Sequence, residues 1–155
     1  MSSVDNYKEQ LQFVIDNCNE RQAKFYRRML RDIREVHLLP MSEVLTKDQI
    51  LLIRSLVEKK QCYKNAYKIA QLVPGVRYVE GLNFISKIVP ISHAFNICNG
   101  KYFDATFEIC LHKDVTKEEY AAYADYSVEE VADVLLQNHT WGDVYRTKIV
   151  KELGG

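Results

Sequence analysis

The dipeptide Asn99-Gly100, set between two runs of strand-forming residues at 93–98 and 101–107, constrains this chain more than any other feature. Asn-Gly is the strongest short signal for a two-residue type I′ turn, because both central residues need a positive φ and the turn's twist then matches that of the paired strands. A two-residue loop fixes the register. Cys98 is expected opposite Lys101, Ile97 opposite Tyr102, Phe95 opposite Asp104 and His93 opposite Thr106. Side chains alternate along a strand, so His93, Phe95, Ile97, Tyr102, Asp104 and Thr106 are expected to share one face, with Asn96 on the other. His93 and Asp104 become diagonal neighbours with backbones roughly 7 Å apart, a gap that an imidazole and a carboxylate can close.

A third residue suits the same chemistry. Cys62 opens the segment Cys62, Ala66, Ile69, Ala70 and Val73, in which small and apolar residues recur at helical spacing. A cysteine at a helix start sits at the positive end of the peptide dipoles, which favours the thiolate. The stretch before it, opened by a capping box of Thr46 and Gln49 and carrying Ile50, Ile53, Leu56 and Val57, is also helical in pattern. No Gly or Pro separates the two, so one continuous helix is an alternative. The Lys59-Lys60 pair suits a helix C-terminus and favours a break before Cys62.

The roles follow from acid–base chemistry. A free thiol with a pKa of about 8.5 is mostly protonated at neutral pH. A neighbouring imidazole takes its proton and later returns one to the leaving group, while a carboxylate holds the ring in the useful tautomer. Parity on the hairpin assigns that carboxylate to Asp104 rather than the amide of Asn96.

From Cys62 to Thr106 the chain resembles the transglutaminase-like branch of the papain-type cysteine enzymes. The resemblance rests on Cys62 with Ala66 one turn later, Val79-Glu80-Gly81 ending a strand, His93-Ala94-Phe95 on the next, and Asp104-Ala105-Thr106 on the one after. It departs from that family's pattern at Gln61 and Phe95, where tryptophan is frequent, at Leu82, where an aromatic is usual, and at Ala105, where proline is usual. The resemblance implies a cysteine hydrolase or transferase with Cys62 as nucleophile, His93 as general base and acid, and Asp104 as orienting carboxylate. Thiol peptidases, deamidases and transglutaminase-type transferases share that triad. The substrate is then a protein, a peptide or a small amide, and no cofactor or metal is required.

Four more residues are candidates for oxyanion or substrate binding. Gln61 precedes the nucleophile, Tyr63 and Asn65 lie in the first turn after it, and Glu80 sits on the strand, facing either the cleft or solvent. The other cysteines read as structural: Cys18 as core or helix end, Cys98 on the face away from His93, and Cys110 after the second strand. There is no CxxC pair and the four histidines are scattered, which argues against zinc.

The 21 basic and 21 acidic residues cancel. Locally, a helix over 20–36 would gather Lys24, Arg27, Arg28, Arg31 and Arg34 on one side, with Phe25, Tyr26, Met29, Leu30, Ile33 and Val36 buried. An alternative function follows: a catalytically inactive papain-like binding module whose basic 24–34 face meets nucleic acid or an acidic protein, nucleic acid being the less favoured. A solvated face is the plainer reading of the same charges.

A chain of 155 residues makes one domain with an ordinary core. No apolar run approaches the roughly 20 residues of a membrane span. The start, Met1-Ser2-Ser3-Val4-Asp5, lacks signal-peptide character, so the expectation is a cytoplasmic setting with reduced thiols. The order of elements predicts an α+β fold: a helical part (1–60), a catalytic core (61–111) and a second helical part (112–155). In that core a small antiparallel sheet packs on the cysteine helix, which lies against the His93 face. Capping boxes at Thr116-Glu119 and Ser127-Glu130, then Trp141, Tyr145, Ile149 and Leu153 on one side, predict helices to the end of the chain. The closing Gly154-Gly155 reads as a frayed terminus.

Overall fold

The computed structural model describes residues 2–85 and 89–154. It is an α+β domain. Six helices, α1 (Ser3–Asn17), α2 (Glu20–Asp32), α3 (Lys47–Leu56), α4 (Cys62–Leu72), α5 (Val128–Asn138) and α6 (Val144–Glu152), surround five strands. The strands are β1 (Arg34–Val36), β2 (Val76–Asn83), β3 (Ile91–Cys98), β4 (Lys101–Phe103) and β5 (Tyr120–Tyr126), all paired antiparallel in the order β1-β5-β2-β3-β4. The connection expected through Pro90 falls partly on residues 86–88, outside the described residues.

Capping chemistry sets the helix starts as expected at Thr46 and Ser127, where both halves of each capping box are formed. The break before Cys62 is present. α3 ends at Leu56, and Lys60 takes a left-handed φ of 63°. The hairpin turn also forms, with φ of 51° at Asn99 and 78° at Gly100, and Cys98 and Ile97 lie opposite Lys101 and Tyr102.

The sheet curls until its edges approach. Leu38, just beyond β1, bridges to Tyr102 of β4, and the Leu39 N–H donates to the Tyr102 carbonyl at 2.9 Å. The inner side of the curl holds Val79, Phe95, Phe107 and Tyr120, all buried. Burial of apolar side chains of this size contributes about 1.5–3 kcal/mol each. The outer side carries Tyr78, Ala94, Cys98 and Phe103, against which α4 packs through Ala66, Ile69 and Ala70.

Several expectations are corrected. α4 packs on the outer side and not on the His93 face: the Asn96 amide, pointing outward, donates to the Ala66 carbonyl at 2.9 Å. β4 stops at Phe103 instead of running to Phe107, so Asp104 and Thr106 do not pair with Phe95 and His93 across a ladder. The backbone turns there into a five-residue π-helical turn, Thr106–Cys110. The helix expected over 20–36 ends at Asp32, and Arg34 lies on β1.

The expected helix after Thr116 is replaced by a short 3-10 turn, Val115–Lys117, and then by β5. Asp114 captures the Thr116 N–H at 3.1 Å, while the Glu119 carboxylate accepts from the N–H and hydroxyl of Ser3 at 2.9 and 3.0 Å. The Thr116 hydroxyl is taken by Asp114 at 2.6 Å and the Glu119 carboxylate by Ser3, so neither member of the expected box is free to complete it. Trp141 lies in the α5–α6 connection and meets the Tyr67 ring at 5.7 Å, so it does not extend the apolar side of α6.

β5 is an inner strand because its alanines allow close approach to β2. Ala121 and Ala122 are fully buried, and the register slips between Glu80 and Gly81. A Cβ on Gly81 would lie 1.9 Å from the Ala121 carbonyl oxygen. Gly81→Ala should therefore destabilise the fold by about 3 kcal/mol, the upper range for overpacking, read as a lower urea midpoint with an unchanged slope.

Candidate active site

Termination of β4 creates the site. Among the described residues β4 pairs with β3 only at Asn96, Ile97 and Cys98, and β3 from Ile91 to Phe95 has no strand partner on that side. Asp104 follows directly. Its Oδ1 accepts the Phe107 N–H at 3.2 Å, which holds the carboxylate at the head of the π-helical turn. Its Oδ2 lies 2.6 Å from His93 Nε2 and accepts the Tyr120 hydroxyl at 2.7 Å. Expected proximity of His93 and Asp104 is thus present, reached through the turn after β4 rather than a continued strand.

Both groups are buried, at 2% and 1% exposure. The His93 ring packs 4.3 Å from the Phe107 ring centroid, with Phe95 and Tyr120 beyond. Burial alone would favour the neutral imidazole. The Asp104 charge and hydrogen bond overcome it, and Cys62 adds a hydrogen-bonding and a charge contribution, so the His93 pKa rises from the usual range to about 10. The ring is then an imidazolium at neutral pH. With Nε2 committed to Asp104, Nδ1 is the nitrogen left for the thiol.

Cys62 is the first residue of α4 and is half-buried, open in part to solvent. Its helix start has no side-chain cap: Gln61 makes no capping bond and is exposed. The first backbone N–H groups of a helix lack intrahelical partners, so those at the start of α4 are available to an anion beside the thiol.

Asn65 explains how the cysteine is delivered. Its buried amide accepts the Glu58 N–H at 3.0 Å, donates to the Glu58 carbonyl at 2.8 Å and donates to Thr106 Oγ at 3.0 Å. One side chain clamps the loop before Cys62, the first turn of α4 and the turn after Asp104. Asn65 therefore positions the site from behind.

Glu80 neither faces solvent nor stands free in a cleft. Its carboxylate is buried, takes a short bond from the Tyr78 hydroxyl, and accepts the N–H groups of Val144 and Tyr145 at 3.1 and 2.9 Å. It caps α6, whose own N-cap residue, Asp143, makes no side-chain capping bond. Burial raises the Glu80 pKa against the lowering effect of these bonds. Tyr63 is half-buried beneath Gly142, where a Cβ would meet its ring at 3.1 Å, and burial raises its pKa as well.

Tyr120 was not legible as a site residue, because its strand reads as helix. Asn83 was missed too. Its fully buried amide approaches the Tyr120 hydroxyl without forming a full hydrogen bond. Among the described residues no three His, Cys, Asp or Glu side chains gather in a way that would hold a metal, and no helix is long and apolar enough to cross a membrane.

Comparison with protein-family models, curated proteins and solved structures finds no match for this chain.

Two outcomes follow from these contacts. Glu80→Gln should lower stability by about 1–3 kcal/mol, because one donor of α6 loses its acceptor in a buried setting; urea titration measures it. A histidine whose folded pKa exceeds its unfolded value of about 6.5 stabilises most when protonated. That contribution is complete below about pH 6.5 and lost as pH rises through about 10. The stability advantage of the wild type over His93→Gln should therefore shrink across that window in paired urea titrations.

Proposed function

We propose that this protein is a cysteine-dependent amide hydrolase or acyl transferase working through Cys62, His93 and Asp104. The observation that carries the reading is the buried 2.6 Å contact between His93 Nε2 and Asp104 Oδ2, made by an imidazole that Cys62 also influences. The chain order and placement support a papain-like core of the transglutaminase-like type: cysteine at the start of a helix packed on an antiparallel sheet, histidine on a strand, aspartate just after the next.

The cycle balances on these residues alone. The cycle starts with the Cys62 proton already on His93 Nδ1 as a thiolate–imidazolium pair, and the thiolate attacks the carbonyl carbon of a carboxamide, forming a C–S bond. The oxyanion is met by backbone N–H groups at the start of α4, with the Gln61 side chain as second donor. Collapse breaks the C–N bond as the imidazolium protonates the leaving amine. A water or an amine then attacks the thioester, His93 accepts its proton, the C–S bond breaks, and the thiolate–imidazolium pair is restored. Asp104 stays ionised and holds the ring; Tyr120 and the Phe107 N–H hold Asp104.

Iodoacetamide near neutral pH should alkylate Cys62 ahead of Cys18, Cys98 and Cys110, and His93→Gln should slow that labelling at least about tenfold. With a library of peptide carboxamides, mass spectrometry should detect an acyl adduct on Cys62. Cys62→Ala should abolish turnover while keeping the circular dichroism of the wild type. Undiminished turnover in that variant, or preferential labelling of another thiol, would overturn the mechanism.

A further inference from the structure

The cations of the α2 region divide into two groups. Arg27 pairs with Glu20 at 2.6 Å, Arg28 with Asp32 and Glu152 at 3.0 and 2.8 Å, Arg31 with Asp32 at 3.3 Å, and Arg34 with Asp125 at 3.9 Å. The basic face expected over 24–34 is thus largely neutralised within the fold. Arg21 and Lys24 on α2, with Arg146 and Lys151 on α6, are exposed and have no carboxylate partner among the described residues. The free charges line one groove.

That groove lies between α2 and α6 and consists of three adjoining hollows of about 440, 540 and 640 Å³. Val150 lines all three; Arg21 and Phe25 join the first two, and Arg146 joins the second to the third. Phe25, Val150 and Leu153 supply apolar surface between the cations, and the Leu153 side chain remains 39% exposed. The Arg146 guanidinium sits 5.1 Å from the Phe25 ring centroid, where stacking orients it without neutralising its charge. Of the acids close by, Glu20 is held by Arg27 and Glu152 by Arg28.

The groove does not end at α6. A further hollow of about 220 Å³ shares Phe25 and Arg146 with it and is bounded on another side by Tyr63 and Ser92, the chain neighbours of Cys62 and His93. A chain seated along α2 and α6 would thus reach the residues that adjoin Cys62 and His93 in sequence.

We propose that this groove docks an acidic polypeptide segment bearing apolar side chains, its carboxylates meeting Arg21, Lys24, Arg146 and Lys151 and its apolar groups covering Phe25, Val150 and Leu153. As the docking site of a protein substrate's flanking segment, it rests on the catalytic reading above; as a binding surface, it does not. Charge complementarity selects an acidic partner. The apolar floor selects polypeptide over nucleic acid, since a phosphate backbone needs a longer basic track and the chain's 21 basic residues are balanced by 21 acidic ones.

The test uses the full chain with Cys62→Ala, so that binding is read without turnover. Fluorescence anisotropy follows a labelled peptide of alternating glutamate and leucine, a lysine–leucine counterpart and an oligothymidylate. The glutamate–leucine peptide should bind tightest and weaken as salt is raised. The triple reversal Arg21→Glu, Lys24→Glu and Lys151→Glu should weaken it about tenfold, the sum expected for several exposed charge pairs. If that variant loses the wild-type circular dichroism, Lys24→Gln with Lys151→Gln replaces it, with a smaller loss of about threefold expected. Equal affinity in the charge variants, or tighter binding of the oligonucleotide or the lysine–leucine peptide, overturns the proposal. The two readings fail separately: acidic-peptide binding without any acyl-Cys62 in the wild type leaves the groove and removes the enzyme, whereas acylation without preference for the acidic peptide does the reverse.

Discussion

An imidazole and a carboxylate removed together from water, 2.6 Å apart, organise this molecule. Burying two charges costs several kcal/mol per ion, and mutual attraction offsets that cost only when the remaining lone pairs are also bonded. Asp104 meets the condition: one oxygen takes the Phe107 N–H, the other takes His93 and the Tyr120 hydroxyl. The aromatic rings around His93 exclude water, which strengthens these bonds and makes any unpaired member of the set more expensive. A buried pair is a poor device for stability, and an apolar pair of the same volume would serve a core as well. What the arrangement achieves is one ring orientation with one nitrogen left over.

That orientation requires a strand that ends early. Had β4 continued past Phe103, Asp104 would be a ladder residue fixed by the pleat. Because it ends, the carboxylate sits at the head of a helical turn whose N–H groups favour negative charge, and among the described residues β3 has no strand partner on that edge beside His93. The first turn of α4 occupies the same region, tied to Thr106 by Asn65. α4 can therefore pack its length on the outer side of the sheet while its first residue, Cys62, hydrogen-bonds to an imidazole of the inner side. π-helical turns are frequent where a backbone must depart from regularity to place a functional group.

Much of this was legible where the determining physics is local. The Asn99-Gly100 turn, the Thr46 and Ser127 capping boxes, the break before Cys62 and the outward face of Asn96 each depend on a few adjacent residues. What stayed hidden depends on partners distant in sequence. Glu119 completes no capping box because Ser3 claims it, and Tyr120 to Tyr126, with three alanines among tyrosines, reads as helix until a glycine on β2 offers space for close strand packing. Missing β5 concealed Tyr120, the second hydrogen-bond donor to the Asp104 oxygen that His93 uses. Glu80 read as facing either the cleft or solvent for the same reason: its partners are the first N–H groups of a helix more than sixty positions later.

Glu80 also joins the strand beside His93 to the helix that lines the basic groove. It stands on β2 opposite Ala94, the neighbour of His93, and its carboxylate holds the start of α6. α6 contributes Arg146 to the groove within its first turn, and further along it is braced by the Arg28–Glu152 ion pair and the bond from Asn138 to Thr147. A helix of nine residues has little intrinsic stability, so its position is set by these attachments. The strand pair that carries the histidine thereby also anchors the helix that carries the groove's cations. Any segment bound along α2 and α6 is referred to the frame in which the imidazole is fixed.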